Sequence, residues 1–222
     1  GMSENTGAMS FERFKVKPGT VGLAMPGSEL AVFPDGEVCC RGGHVFQGYL
    51  NDPDKTAEAI DDDGWLHSGD IGELDDDGYL RIVDRKKELI ITAGGKNISP
   101  ANLEAELKSI PLVAQAAVIG DNRPFVSALL VLDGEVAPGW AARHGIQYSS
   151  LEELAAHPDV QAAVADGVEQ AMAGFNNAER VKKWTLLSEE WLPDTDLLTP
   201  TFKLKRRGIT AHFEKEIEAL YS

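Results

Sequence analysis

The chain has 222 residues, with 21 Lys and Arg against 36 Asp and Glu and a formal net charge of −15. A 43% hydrophobic content suffices for one large core or two smaller ones. The acidity excludes a general nucleic-acid binder, because phosphate backbones would be repelled; no apolar run is long enough to cross a bilayer; and no basic segment leading into an apolar one opens the chain, so no secretion signal is expected.

The first half reads as β-rich. "ELAVF" (29–33) and "GEVCCRG" (36–42) are short strand candidates with turn residues between them. Cys39 and Cys40 are adjacent, so on a strand they point to opposite faces and cannot bridge each other. They fit a reducing compartment and ordinary strand positions. "DPDKTAEAI" (52–60) is a short helix with Pro53 in its first turn. "NDPDK", "IDDDGW" and "LDDDGY" are acidic turn tips; they lack the alternating oxygens and distal Glu of a calcium loop. "YLRIV" (79–83) and "ELIIT" (88–92) are strand-like and flank "DRKK" (84–87), the natural boundary between domains 1–85 and 86–222.

The second half is mixed, giving an α+β fold class overall. "SPANLEAELKSI" (99–110) is a helix with Ser99 as N-cap, Pro100 at its first position, and Leu103, Leu107 and Ile110 on one face. "VAQAAVIG" (113–120) and "VSALLVL" (126–132) are strands. "SLEELAA" opens on a capping box of Ser150 with Glu153. A longer helix over 158–175 carries Val160, Val164, Val168 and Met172 at helical spacing. "KWTLLS" (183–188) is a strand, and "ITAHFEKEIEALY" (209–221) is one amphipathic helix through Phe213, Ile217 and Leu220.

No metal-ligand spacing, no Gly-rich phosphate loop ending in Lys-Ser/Thr and no Gly-x-Ser-x-Gly elbow occurs in the sequence. Longer motifs carry the chemistry. "GEVCCRGGHVFQGYLNDPDKT", "GWLHSGDIGELDDDGYLRIVDRKKELIITAGGKNISPANLE" and "LTPTFKLKR" follow one another in the order found in adenylate-forming enzymes, the superfamily of acyl-CoA synthetases, luciferases and peptide-synthetase adenylation domains. "GMSENTG" resembles the superfamily's Tyr-Gly-x-Ser/Thr-Glu motif without its tyrosine. "LTPTFKLKR", where many relatives have a Gly-Lys pair, resembles the long-chain fatty acid–CoA ligase branch. The resemblance covers nearly the whole chain. It implies a β-rich distorted-barrel segment from the end of a large AMP-binding domain, followed by a small α+β lid. It also implies a piece of a longer enzyme whose remaining domain carries the phosphate loop and acyl pocket, so that the piece alone is expected to be inactive.

The implied reaction has two steps. A fatty-acid carboxylate attacks the α-phosphorus of ATP, releasing pyrophosphate; the thiol of coenzyme A then attacks the acyl-adenylate and AMP leaves. Negative oxygen crowds both transition states, so fixed cations and oriented donors are useful. By resemblance Lys203 is the adenylation lysine, a compact charge on a long stem. Its neighbours Lys205, Arg206 and Arg207 are expected to be a solvated surface that attracts polyphosphate in general. The same resemblance implies that Asp70 in "HSGD" accepts hydrogen bonds from the ribose hydroxyls, although Ser68 stands where the family has Thr, and that Arg85 contacts ribose or phosphate from the other side; a surface ion pair with one of the nearby acids is the alternative for Arg85. Ile82 either lines the nucleotide pocket or fills the strand's core. Lys87 falls at the family's hinge, and Gly94 and Gly95 in the loop beside the coenzyme A tunnel. Glu104 reads as structural. Glu4 matches the acid that holds magnesium on the phosphates, here expected to be mobile.

Other readings stay open: a shorter-chain ligase, a fatty acyl-AMP ligase that serves a carrier protein, or a stand-alone, non-catalytic binding module. The implied placement is cytoplasmic, with peripheral association at the inner membrane surface.

Overall fold

The structure, a computed structural model, describes residues 1–12, 15–93 and 97–222. The chain divides into two compact units, Gly1–Leu89 and Ile90–Ser222.

In the first unit a two-stranded pair, β1 (Ser10–Phe11) and β2 (Leu23–Ala24), accompanies a four-stranded antiparallel sheet in the order β3-β4-β5-β6. These strands are β3 (Ser28–Val32), β4 (Glu37–Gly42), β5 (Leu66–Leu74) and β6 (Leu80–Arg85). Alternation splits β4 cleanly. Val38 and Cys40 enter a small core with Met9, Leu66 and Leu80, while Glu37 and Cys39 take the opposite face and are buried as well. The two thiols are free. Helix α1 (Pro53–Ala59) starts where the reading of 52–60 places it, with the Asp52 carboxylate accepting from the Lys55 amide at 3.1 Å.

Two irregularities shape this sheet. Between the pairs Glu37↔Ile71 and Cys39↔His67, β4 advances two residues while β5 advances four, so Ser68, Gly69 and Asp70 bulge outward. Gly69 sits at φ 71°, the left-handed region where a side chain is disfavoured. A second shift between Ile71 and Gly72 sets Asp84 opposite Ile71 and Ile82 opposite Gly72. Beyond Arg85 the chain does not run straight into a strand: Lys86–Glu88 forms a 3-10 turn, and only Ile90–Ile91 of "ELIIT" is extended. The "DRKK" tetrapeptide is thus divided, Asp84 and Arg85 ending β6 and the two lysines making the turn.

The second unit starts with a short pair, β7 (Ile90–Ile91) and β8 (Asn97–Ile98), and then α2 (Pro100–Leu107), capped by Ser99. A three-stranded sheet follows in the order β11-β10-β9, from β9 (Val113–Ile119), β10 (Ser127–Leu132) and β11 (Lys183–Leu187). β9 runs antiparallel and β11 parallel to β10. Every residue of β10 is buried because both sheet faces are covered. Ala128, Leu130 and Leu132 face α2, α3 (Val136–Arg143), α4 (Leu151–Ala156) and α5 (Pro158–Ala171); Leu129 and Val131 face α6 (Arg206–His212) and α7 (Glu214–Tyr221).

Local chemistry departs from expectation in two places. Ser150 caps α4, but the Glu153 carboxylate reaches back to the Ser149 amide (2.7 Å), one residue earlier than the expected box. The final helix is divided at Phe213 (φ −107°, ψ 31°), whose buried ring lies 5.7 Å from Trp191. Among the described residues, no helix is long and apolar enough to cross a membrane.

Candidate functional site

The first unit gathers its candidate residues around the β5 bulge. Asp70 pairs across the strands with Arg85, and Arg85 Nε lies 2.9 Å from Asp70 Oδ1. Among the described residues Oδ2 has no partner, which leaves a carboxylate oxygen able to accept a hydroxyl proton. The Asp70 amide donates to Ser68 Oγ (3.0 Å), so the serine braces the bulge from behind. The register shift in β6 brings Ile82 opposite Gly72, two residues from Asp70 on the same strand face. Ile82 is 38% exposed, so the alternative of a core strand residue is set aside by its accessibility.

Beneath the bulge lies a network that the sequence reading missed. Glu37 is 4% exposed. Its Oε1 accepts from the Gly69 amide at 2.9 Å; its Oε2 meets Lys86 Nζ at 2.8 Å and His67 Nδ1 at 3.0 Å. Lys86 also binds Asp35 Oδ2 at 2.8 Å. Burial pushes the Glu37 ionisation up, but Lys86, His67 and the Gly69 amide together outweigh it and hold the carboxyl below its ordinary range. Cys39 Sγ lies 3.5 Å from His67 Nδ1, so Glu37, Cys39 and His67 form a trio with metal-ligand elements. Within that trio the Lys86 ammonium already occupies the Glu37 oxygen, and burial pushes the Cys39 thiol up to about 12. Glu37 and His67 lie thirty residues apart, and only the β4–β5 register juxtaposes them.

Lys87 follows in the 3-10 turn, exposed, with no ion-pair partner among the described residues. Gly94 and Gly95 lie outside the described residues. Glu4 is in a 3-10 turn, Ser3–Asn5, rather than in a loose end; its Oε1 accepts from the Tyr49 hydroxyl at 2.8 Å, and its carbonyl accepts from the Phe46 amide at 2.7 Å.

In the second unit Lys203 sits on a small hairpin. Leu198 and Leu204 form an isolated antiparallel bridge, the Thr199 amide donates to the Lys203 carbonyl (2.9 Å), and the Lys203 amide donates to Thr199 Oγ1 (3.0 Å). Phe202 closes the turn in the left-handed region at φ 60°. Leu197 and Leu198 are buried and Leu204 packs on the same core, so alternation sends Lys203 outward. Its side chain is exposed, with no ion-pair partner among the described residues.

The neighbouring cations are not one solvated patch. Lys205 Nζ donates to the Thr195 carbonyl (2.7 Å) and fastens the hairpin's base. Arg206 grips both oxygens of buried Glu104 at 2.7 and 3.0 Å, and Glu104 Oε1 also accepts from the Val118 amide at 2.9 Å. This corrects the surface reading of Arg206 and gives Glu104 its structural part: the pair joins α2 to the start of α6 and to β9. Arg207 remains exposed.

A family profile described as "AMP-binding enzyme C-terminal domain" matches residues 87–222. The long-chain-fatty-acid–CoA ligase FadD15 of Mycobacterium bovis is 43% identical over 224 residues, covering 100% of this chain and 37% of that protein. The human long-chain-fatty-acid–CoA ligase 1 is 42% identical over 196 residues, covering 87% of this chain and 28% of that protein. Among solved structures, an O-succinylbenzoate coenzyme A synthetase (MenE) from Bacillus subtilis in complex with AMP superposes with a TM-score of 0.63 at 27% identity, covering 93% of this chain and 39% of that one. The chain therefore spans little more than a third of the length of these relatives, or less.

Proposed function

The chain belongs to the AMP-binding enzyme family, and on that premise we propose that it is the C-terminal portion of an AMP-forming long-chain fatty acid–CoA ligase. The observation that carries this is the Lys203 hairpin: an exposed ammonium, without an ion-pair partner among the described residues, on a turn whose base is locked into a core. Such a cation reaches a charged ligand without leaving a partner behind, and a braced base limits the entropy lost when it does.

The roles divide between the units. In the first, the open oxygen of Asp70 accepts a ribose hydroxyl of ATP or AMP, and Arg85 orients that carboxylate while its exposed guanidinium faces ribose or phosphate. Ile82 offers apolar surface beside them. In the second, Lys203 neutralises charge between the attacking carboxylate and the α-phosphate; the new C–O–P bond forms as the bond to pyrophosphate breaks. Lys87 is the pivot about which the lid turns, after which the thiol of coenzyme A attacks the acyl carbon and AMP departs. Gly94 and Gly95 are assigned to the pantetheine passage from the motif alone. Magnesium, held by Glu4 through the oxygen that Tyr49 leaves open, would supply charge neutralisation on the ATP phosphates.

The remaining N-terminal domain of the parent enzyme is the expected partner, and the isolated chain has no turnover by itself. Cytoplasmic placement at a membrane surface fits a substrate that partitions into lipid. The parent protein, supplied with ATP, magnesium and fatty acids of graded length, is expected to release AMP and form acyl-CoA fastest with long chains. Transfer to a carrier protein in place of coenzyme A, or a preference for short acids, would move it to another branch. ATP-independent binding alone would overturn the enzymatic reading.

A further inference from the structure

Five residues of the first unit close into a ring. Asp70 binds Arg85 through its side chain (2.9 Å). Lys86 follows Arg85 along the chain and binds Glu37 Oε2 (2.8 Å). The other oxygen of Glu37 accepts from Gly69 (2.9 Å), and Gly69 precedes Asp70. Of the ring's two carboxylates Glu37 is buried; Asp70, Arg85 and Lys86 are partly or largely exposed.

We propose that Glu37 is a positioning residue that couples the nucleotide-facing bulge at Gly69–Asp70 to the start of the pivot at Lys86. The inference rests on the adenylation reading, since it concerns the same site. Sheet hydrogen bonds alone do not hold the bulge, because its residues stand opposite no β4 partner; the Glu37 side chain does that work at Gly69. The same carboxylate, with Asp35, anchors Lys86, whereas Lys87, next in the turn, has no ion-pair partner among the described residues. A shift of the bulge on nucleotide binding is thereby felt at Lys86, and a rotation beginning at Lys87 is felt at Asp70. Coupling of this kind is reciprocal. His67 Nδ1 lies 3.0 Å from the same Glu37 Oε2, and the His67 ring is itself packed at a steep angle against Phe33, 5.5 Å away, so Glu37 is held by a third side chain.

The test uses Lys86→Met, Glu37→Gln and Lys86→Arg in the full-length protein that carries this chain, following ATP–pyrophosphate exchange and consumption of supplied acyl-adenylate by coenzyme A, with a thermal melt of each variant. Lys86→Met is expected to lower the ratio of thioester formation to adenylation about tenfold. Glu37→Gln should lower it similarly and also raise the KM for ATP, while Lys86→Arg restores the ratio. A merely structural role would lower both half-reactions by the same factor, in step with the melting temperature, and would overturn the coupling. Amide hydrogen exchange supplies a readout that needs no turnover: Lys86→Met should speed exchange at Gly69, and Glu37→Gln should speed it at both Gly69 and residues 87–89. Unchanged exchange at these amides overturns the ring even if the parent protein proves not to adenylate fatty acids.

Discussion

Single side chains carry most of the chemistry, and their surroundings explain their states. Cys39 is an example. Its thiol is pushed up to about 12, first by burial and then by the carboxylates of Glu37, Asp35 and Asp61. An ordinary thiol titrates near 9.0, so above that pH the unfolded chain releases a proton that the folded one keeps. The stabilisation is complete below pH 9.0 and is lost as pH rises from there toward about 12. Its slope is at most about 1.4 kcal/mol per pH unit. The melting temperature is expected to fall between pH 9 and 11, less steeply in Cys39→Ala; equal slopes in the two proteins would contradict this origin. Lys203 differs in every respect: exposed, unpaired among the described residues, and set apart from Lys205 and Arg206, which have tasks of their own. A run of four cations within five residues reads as one patch in the sequence. Only the alternation imposed by the hairpin, with Leu204 turned inward, separates the free charge from the anchoring ones.

At the scale of elements, the joint between α2 and α6 rests on Glu104 and Arg206, which lie 102 positions apart. Removing one member of a mostly buried pair leaves the other without compensation. Glu104→Ala is therefore expected to cost about 3 kcal/mol and to expose the Val118 amide to exchange; a change in chemical denaturation midpoint equivalent to less than about 0.5 kcal/mol would show the pair to be ornamental. Strongly patterned elements were legible beforehand. Helix α2 shows its Ser-Pro start, α5 its apolar face of Val160, Val164 and Val168, and β10 its unbroken apolar run. Helix α3 was hidden, because Pro138 and Gly139 punctuate its sequence although both fit inside it. Strand β5 was hidden too: Gly69 and Gly72 weaken its propensity and the bulge breaks its alternation. The Glu37 network could not be read at all, since it depends on that irregular register. Asp70, Arg85 and Lys203 were singled out through motif resemblance, not through any local pattern of charge or period.

For the molecule as a whole, the division at Leu89–Ile90 matters most. It falls four residues beyond the boundary expected at 85, because β6 carries on through Arg85 and the 3-10 turn stays with the first unit. The candidate nucleotide residues belong to one compact unit and Lys203, the candidate adenylation lysine, to the other. A two-step enzyme could use such a division by bringing Lys203 to the phosphorus for the first step and taking it away for the second. The direct test is Lys203→Ala in the full-length protein, with each half-reaction measured alone. Acyl-adenylate formation should fall by at least about a thousandfold while coenzyme A still converts supplied acyl-adenylate at close to the wild-type rate. Equal loss in both halves, or adenylation that survives the substitution, would contradict the role assigned to this lysine.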